Sequence, residues 1–221
     1  MPDSINELNT KEMRVIKASG NGSCMFISLR LALEYLKVLK VSAEASQSLR
    51  SAILDGHDAK VLASAEGLRE LIVLWYRSYL DTVVPGFGQY TQSTETAKGR
   101  EWMRGDILAI EMVRANHDVP EDGPLRQDAM LKYLERMARR GEWGSTPEYT
   151  AFAFMAKLTV QVYQAGQDGT LAMINEVKPE TSLGLIKLLY SGRCHYDLLL
   201  DDATADAILQ AWPQAKIISL T

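Results

Sequence analysis

Two cysteines and three histidines set the thiol–imidazole chemistry open to this chain, and the six pairings divide quickly. Cys194 and His195 are neighbours in a strand-like segment, so their side chains point to opposite faces and do not pair readily. Cys194 reads as a small core residue, the usual place of an unpaired cysteine. Cys24 follows a glycine-containing loop, SGNGS at residues 19–23, and opens a helical pattern. Unpaired amide N–H groups and the helix dipole at such a position stabilise a thiolate. The same amides can face a developing oxyanion. Alone, the signal is weak, because an ordinary loop-to-helix junction uses glycines for backbone geometry in the same way.

In HYDLL, His195 and Asp197 stand two apart on a strand and share a face. The carboxylate can then accept the imidazole N–H, fix its tautomer and stabilise the imidazolium, while Tyr196 and Leu198 face the core. A histidine merely satisfied on a solvent-facing strand edge has the same local sequence. His57, in LDGHDAK, and His117, in ANHDV, lie in polar turn-like stretches and are expected to be surface residues. Bringing Cys24 to His195 requires tertiary proximity, which spacing does not prove.

The elements that must position these groups follow from periodicity. Residues 13–18 (MRVIKA) read as a strand, and Phe26, Leu29, Leu33 and Leu36 recur at helical spacing, placing a helix over 24–40. Further helices are expected over 43–54, 64–82, 102–115, 124–140 and 146–157, the last behind the N-cap-like Ser145. Residues 85–99 are rich in turn formers and read as a surface loop. Strand-like stretches then cover 158–163, 170–177, 186–190 and 195–200, the last two joined as a hairpin through Ser191-Gly192-Arg193. A short helix over 204–211 ends before Pro213, and 216–220 is a terminal strand or extended tail. Residues 1–12 read as a polar tail or short capping helix, and 13–221 as one domain. Helices first and strands later, without βαβ alternation, give an α+β fold: a sheet backed by a large helical lobe.

Composition bounds the function. The chain has 221 residues, 47% hydrophobic and 24% charged, the balance of a globular protein with a sizeable core. A net charge of −4 without a Lys/Arg run argues against a general nucleic-acid binder. No apolar run approaches the ~20 residues of a membrane span, and the N-terminus lacks the order of a secretory signal. Two cysteines and three histidines are too few for a disulfide framework or a Cys/His zinc cage. No cofactor or metal is expected, and an intracellular, reducing setting is the simplest reading. Gly20-Asn21-Gly22 lacks the further glycine or Gly-Lys-Ser/Thr of phosphate-binding loops. Asn21-Gly22-Ser23 matches a glycosylation acceptor only formally, and the nine methionines read as core filler.

Three blocks, in order, resemble the ovarian-tumour (OTU) family of papain-like cysteine proteases, most of which are deubiquitinases. RVIKASGNGSCMF at 14–26 is similar to the strand–loop–nucleophile segment, whose usual core is Asp-Gly-x-Cys-(Leu/Met)-Phe. GEWGSTPEYTAFAFMAKLTVQVY at 141–163 is similar to the Trp-Gly block, and LLYSGRCHYDLL at 188–199 to the closing hairpin with its His-Tyr-(Asp/Asn). The resemblance implies a papain-like fold with a mostly antiparallel sheet packed between helices. It implies Cys24 as nucleophile, His195 as general base and Asp197 as orienting carboxylate. Amides of Cys24 and the Asn21–Gly22 stretch would form the oxyanion hole, with Ser23 in the same loop. It further implies ubiquitin or polyubiquitin chains as partner and a cytoplasmic setting. One departure stands out: Asn21 occupies the position of the usual Asp, so the loop can still hydrogen-bond but brings no negative charge. Residues 43–140 match the family poorly and read as a divergent helical lobe that shapes substrate binding, suited to a bacterial or viral effector. Two alternatives of other classes remain open. One is a ubiquitin-binding module that kept the fold without catalysis, the other a protease for a ubiquitin-like modifier or a viral polyprotein.

Overall fold

Leucine-rich and β-branched segments from both ends of the chain meet in one sheet, because each exposes apolar side chains on alternate positions and buries them against the same helices. The computed structural model describes residues 7–36, 64–77, 104–121, 123–192 and 194–220. The strands are β1 (Glu7–Asn9), β2 (Met13–Ile16), β3 (Thr159–Ala165), β4 (Thr170–Val177), β5 (Leu185–Tyr190), β6 (Tyr196–Asp201) and β7 (Ile217–Ser219). They lie in the order β1-β4-β3-β5-β6-β2-β7. Among the described strands only β3 and β5 pair in parallel; every other pairing among them is antiparallel. Among the described helices are α1 (Cys24–Leu36), α2 (Ala65–Arg77), α3 (Arg104–Arg114), α4 (Gly123–Met137), α5 (Thr146–Ala156) and α6 (Asp202–Ala211). This is the expected α+β class with a mostly antiparallel sheet.

Side-chain parity explains the core. Ile16, Val160, Val162, Leu188, Leu198 and Leu200 join the large cluster that also buries Met25, Phe26 and Leu29 of α1. Their neighbours Val15, Tyr163, Leu189 and Leu199 form a second, smaller cluster with Met13 and Leu171 on the opposite face. In β6 this alternation sends Tyr196 and Leu198 toward the helices and Asp197 the other way.

Four sequence expectations change. Residues 7–9 are an edge strand, with Leu8 opposite Leu171, and Thr10–Glu12 forms one 3-10 turn. The final hairpin strand starts at Tyr196, leaving His195 in the turn ahead of it. Cys194 is exposed and adopts a left-handed φ of 70°, so it is neither a strand residue nor core filler. The turn needs a backbone reversal there, and the side chain is carried outward. His117 is half-buried, packed edge-on against the Tyr133 ring with centroids 5.0 Å apart, and that burial lowers its pKa. The expected helix over 43–54, the loop over 85–99 and His57 lie outside the described residues.

Candidate active site

Cys24 is the first residue of α1 and is only 1% exposed. Its thiol donates to the Cys194 carbonyl at 3.5 Å, and the Tyr196 amide also bears on the sulfur. The sulfur is therefore bracketed by backbone on both sides of His195. No hydrogen bond joins the thiol to the imidazole. Burial pushes the Cys24 thiol up from its ordinary pKa; the amides of Tyr196 and Met25 pull it down, and the Asp197 charge pushes it up again. The helix-start setting was expected to favour the thiolate. Here desolvation outweighs the amides, and the net direction is upward.

His195 Nε2 lies 3.0 Å from Asp197 Oδ1. An ionised carboxylate only accepts, so Nε2 carries the proton and Nδ1 is the basic nitrogen; Nδ1 has no hydrogen bond among the described residues. Asp197 is completely buried, and its surroundings explain how it is held. The β2–β6 ladder ends at Ile16 opposite Leu198. Just beyond it the Ala18 N–H donates to Asp197 Oδ1 at 2.9 Å, and Lys17 Nζ reaches Oδ2 at 2.7 Å. Lys17 was not singled out in the sequence, where it is one lysine among many. Its only local signal is its position one residue past a strand that must pair with the histidine's strand.

The loop before Cys24 is tightly specified. Asn21 Oδ1 accepts the Ser23 N–H at 3.3 Å, so the amide side chain organises the turn. Gly22 has φ +83°, and any side chain there would run into the Gly141 carbonyl. Gly144, in turn, leaves room for Met25 and Phe26 of α1. Ser23 Oγ donates to Glu66 Oε1 at 2.7 Å, and the buried Arg69 guanidinium reaches both Ser23 Oγ and the Gly22 carbonyl. The Ser23 carbonyl accepts from the Ile27 N–H, as a helix start requires. The Cys24 N–H is thereby left among the unpaired donors of the first turn. Glu66 and Arg69, like Lys17, went unnoticed in the sequence.

A groove of about 1230 Å³ is lined by Gly144, Ser145, Glu176, Glu180, Tyr190, Cys194 and Tyr196 among others, and so borders the turn on either side of His195. No cluster of three or more His, Cys, Asp or Glu able to hold a metal occurs among the described residues. No described helix is long and apolar enough to cross a membrane.

No protein-family model matches this sequence, and no curated protein sequence matches it. Solved structures do. The viral OTU domain protease from Farallon virus superposes with a TM-score of 0.51 at 14% identity, covering 90% of this chain and 91% of that one. An OTU deubiquitinase from Wolbachia pipientis wMel has a TM-score of 0.41 at 17% identity, over 90% and 96%. The Hazara virus OTU bound to ubiquitin has a TM-score of 0.44 at 14% identity, over 90% and 87%. The likeness to the Farallon virus chain is one of fold: this protein has the OTU-domain architecture.

Proposed function

Proceeding from that fold, we propose that the chain is a cysteine protease of the deubiquitinase type, hydrolysing the (iso)peptide bond after the C-terminal glycine of ubiquitin. One observation carries the reading. A thiol at the start of α1 rests against the backbone flanking His195, whose Nε2 is bound to a buried carboxylate. The fold neighbour from Farallon virus is itself a protease, which agrees with that chemistry.

In the proposed reaction His195 Nδ1 takes the thiol proton as Sγ attacks the glycine carbonyl carbon. The carbonyl π pair moves to oxygen, and the oxyanion faces the Cys24 amide and those of the Asn21–Gly22 stretch. Collapse expels the lysine amine, which receives the proton from the imidazolium. Water, deprotonated by His195, then attacks the thioester, releasing the ubiquitin carboxylate and restoring the thiol. Asp197 keeps Nε2 protonated and stabilises the imidazolium. A thiol whose pKa burial pushes up fits this order, in which ionisation is coupled to attack. The groove beside Cys194 and Tyr196 supplies the approach, and its Glu176 and Glu180 suit the basic tail of ubiquitin.

The competing reading, a ubiquitin-binding module without turnover, draws on the thiol's donation to Cys194 in place of the imidazole. Ubiquitin bearing a C-terminal electrophile separates the two. A covalent adduct that disappears in Cys24→Ala is the expected outcome. Tight binding of ubiquitin with no adduct to the unsubstituted protein overturns the enzyme reading.

A further inference from the structure

Arg69 is the largest fully buried side chain among the described residues, 1% exposed, and it sits on α2, where all its partners but Glu66 come from distant parts of the sequence. Its Nε donates to Glu66 Oε2 at 3.2 Å. One terminal nitrogen meets the Met137 carbonyl at 3.2 Å and the Met137 sulfur at 3.4 Å. The other converges on the Glu142 carbonyl at 2.8 Å, Ser23 Oγ at 3.1 Å and the Gly22 carbonyl at 3.3 Å. Its guanidinium carbon lies 4.1 Å from the centroid of the Phe26 ring, one turn into α1. Taking a guanidinium out of water is costly, and burial lowers its pKa while Glu66 opposes that shift. A methionine or leucine would fill the same space without that cost. The directional demand is what such a residue alone satisfies: one planar fork draws the carbonyls of three separate segments to a common point.

That convergence has a consequence on the opposite side of each peptide. In a trans peptide the C=O and N–H point in opposite directions. Pulling the Gly22 carbonyl toward Arg69 turns the Ser23 N–H away from it, to Asn21 Oδ1. With Gly22 seated on Gly141 and Ser23 Oγ tied to both Glu66 and Arg69, the following peptide has no freedom to rotate. Its N–H belongs to Cys24. Resting on the proposed function, we propose that Arg69 is a positioning residue. It clamps the nucleophile loop between α2 and the 139–144 loop, so that the Cys24 amide is pre-aimed at the oxyanion.

A role confined to oxyanion alignment affects only reactions that create one. Arg69→Lys keeps the charge but loses the fork. Its kcat for a ubiquitin–fluorophore amide is expected to fall about 10- to 100-fold with KM within about twofold. Alkylation of Cys24 by ubiquitin carrying a C-terminal bromoethyl group displaces halide without an oxyanion, and its rate is expected to stay within about threefold. Affinity for a Gly-glycinal peptide, whose aldehyde adds to the thiol as a tetrahedral hemithioacetal, should fall in step with kcat. Thermal unfolding identifies which variants are folded. If Arg69→Lys is not, Ser23→Ala, which cuts one strap and spares the guanidinium, takes its place with the same split in smaller measure. A folded variant that keeps kcat and aldehyde affinity within twofold overturns the proposal, as does an equal loss of oxyanion-forming and alkylating reactions. An unsubstituted protein without turnover defeats the functional reading alone, and Arg69 is then decided by the aldehyde and alkylation pair.

Discussion

Asp197 gathers three donors on two oxygens while fully buried. Only one of those donors, His195, was readable beforehand, because it stands two residues away on the same strand. Lys17 comes from the other end of the chain and has its side chain half in solvent, which is how any lysine looks in a sequence. Its contribution is expected to be moderate, since the exposed ammonium is screened while its partner carboxylate is not. Lys17→Met leaves Asp197 without a counter-charge and should cost about 1–2 kcal/mol. At ~2–4 °C per kcal/mol for a chain of this size, calorimetry should record a melting temperature lower by several degrees; an unchanged value refutes the assignment. Glu66 and Arg69 escaped notice for a related reason. Arg69 interrupts an apolar stretch in which helical period alone assigns it to no partner, and its role follows from burial. Cys194 was misread because strand alternation was extended one residue too far, into a turn closed by the Ser191 N–H on the His195 carbonyl.

The long helices were legible because an apolar stripe at helical spacing survives any tertiary arrangement, and α1, α2, α3 and α5 fall within the ranges expected of them. β1 was not legible: ELN is short and polar, and becomes a strand only because β4 offers it an edge. Inside α3, Glu111 is buried with one oxygen bound by Arg114 at 2.8 Å and the other without a hydrogen bond among the described residues. Burial outweighs Arg114 and raises its pKa from 4.5 to about 7. A carboxyl whose folded pKa is raised favours the fold while protonated. Its contribution is full below about pH 4.5 and is lost as pH climbs through 7. Glu111→Gln stays neutral throughout. It should melt close to the unsubstituted protein at pH 4.5 and several degrees above it at pH 8, in parallel thermal scans. Equal melting shifts at both pH values would refute this account. Glu148 on α5, also raised to about 7 by burial and held by Tyr133 and the Ser145 N–H, keeps some pH dependence in the variant.

Across the whole molecule, the two ends of the chain build the sheet and the middle builds the surroundings of the loop before Cys24. The fold class and the two ends could be read from three sequence blocks, whereas the anchoring of that loop by α2 depends on how the middle helices dock. Edges close the sheet at β1 and β7. Removing residues 1–9 uncovers Leu171 and takes Leu8 from the smaller cluster. The truncated protein is expected to keep its far-ultraviolet spectrum and to melt roughly 2–8 °C lower, about 1–2 kcal/mol at this chain length; full retention of stability would show that β1 is dispensable. The contact between Cys24 and Cys194 spans 170 positions, and that between Ala18 and Asp197 spans 179. Loops of that span close late, after nearer contacts have formed. On a ribosome the sulfur would emerge early and wait until the turn at Cys194, 170 positions later, had also cleared the exit tunnel. Under the proposed function, activity is withheld until those late residues have folded back onto the start of α1.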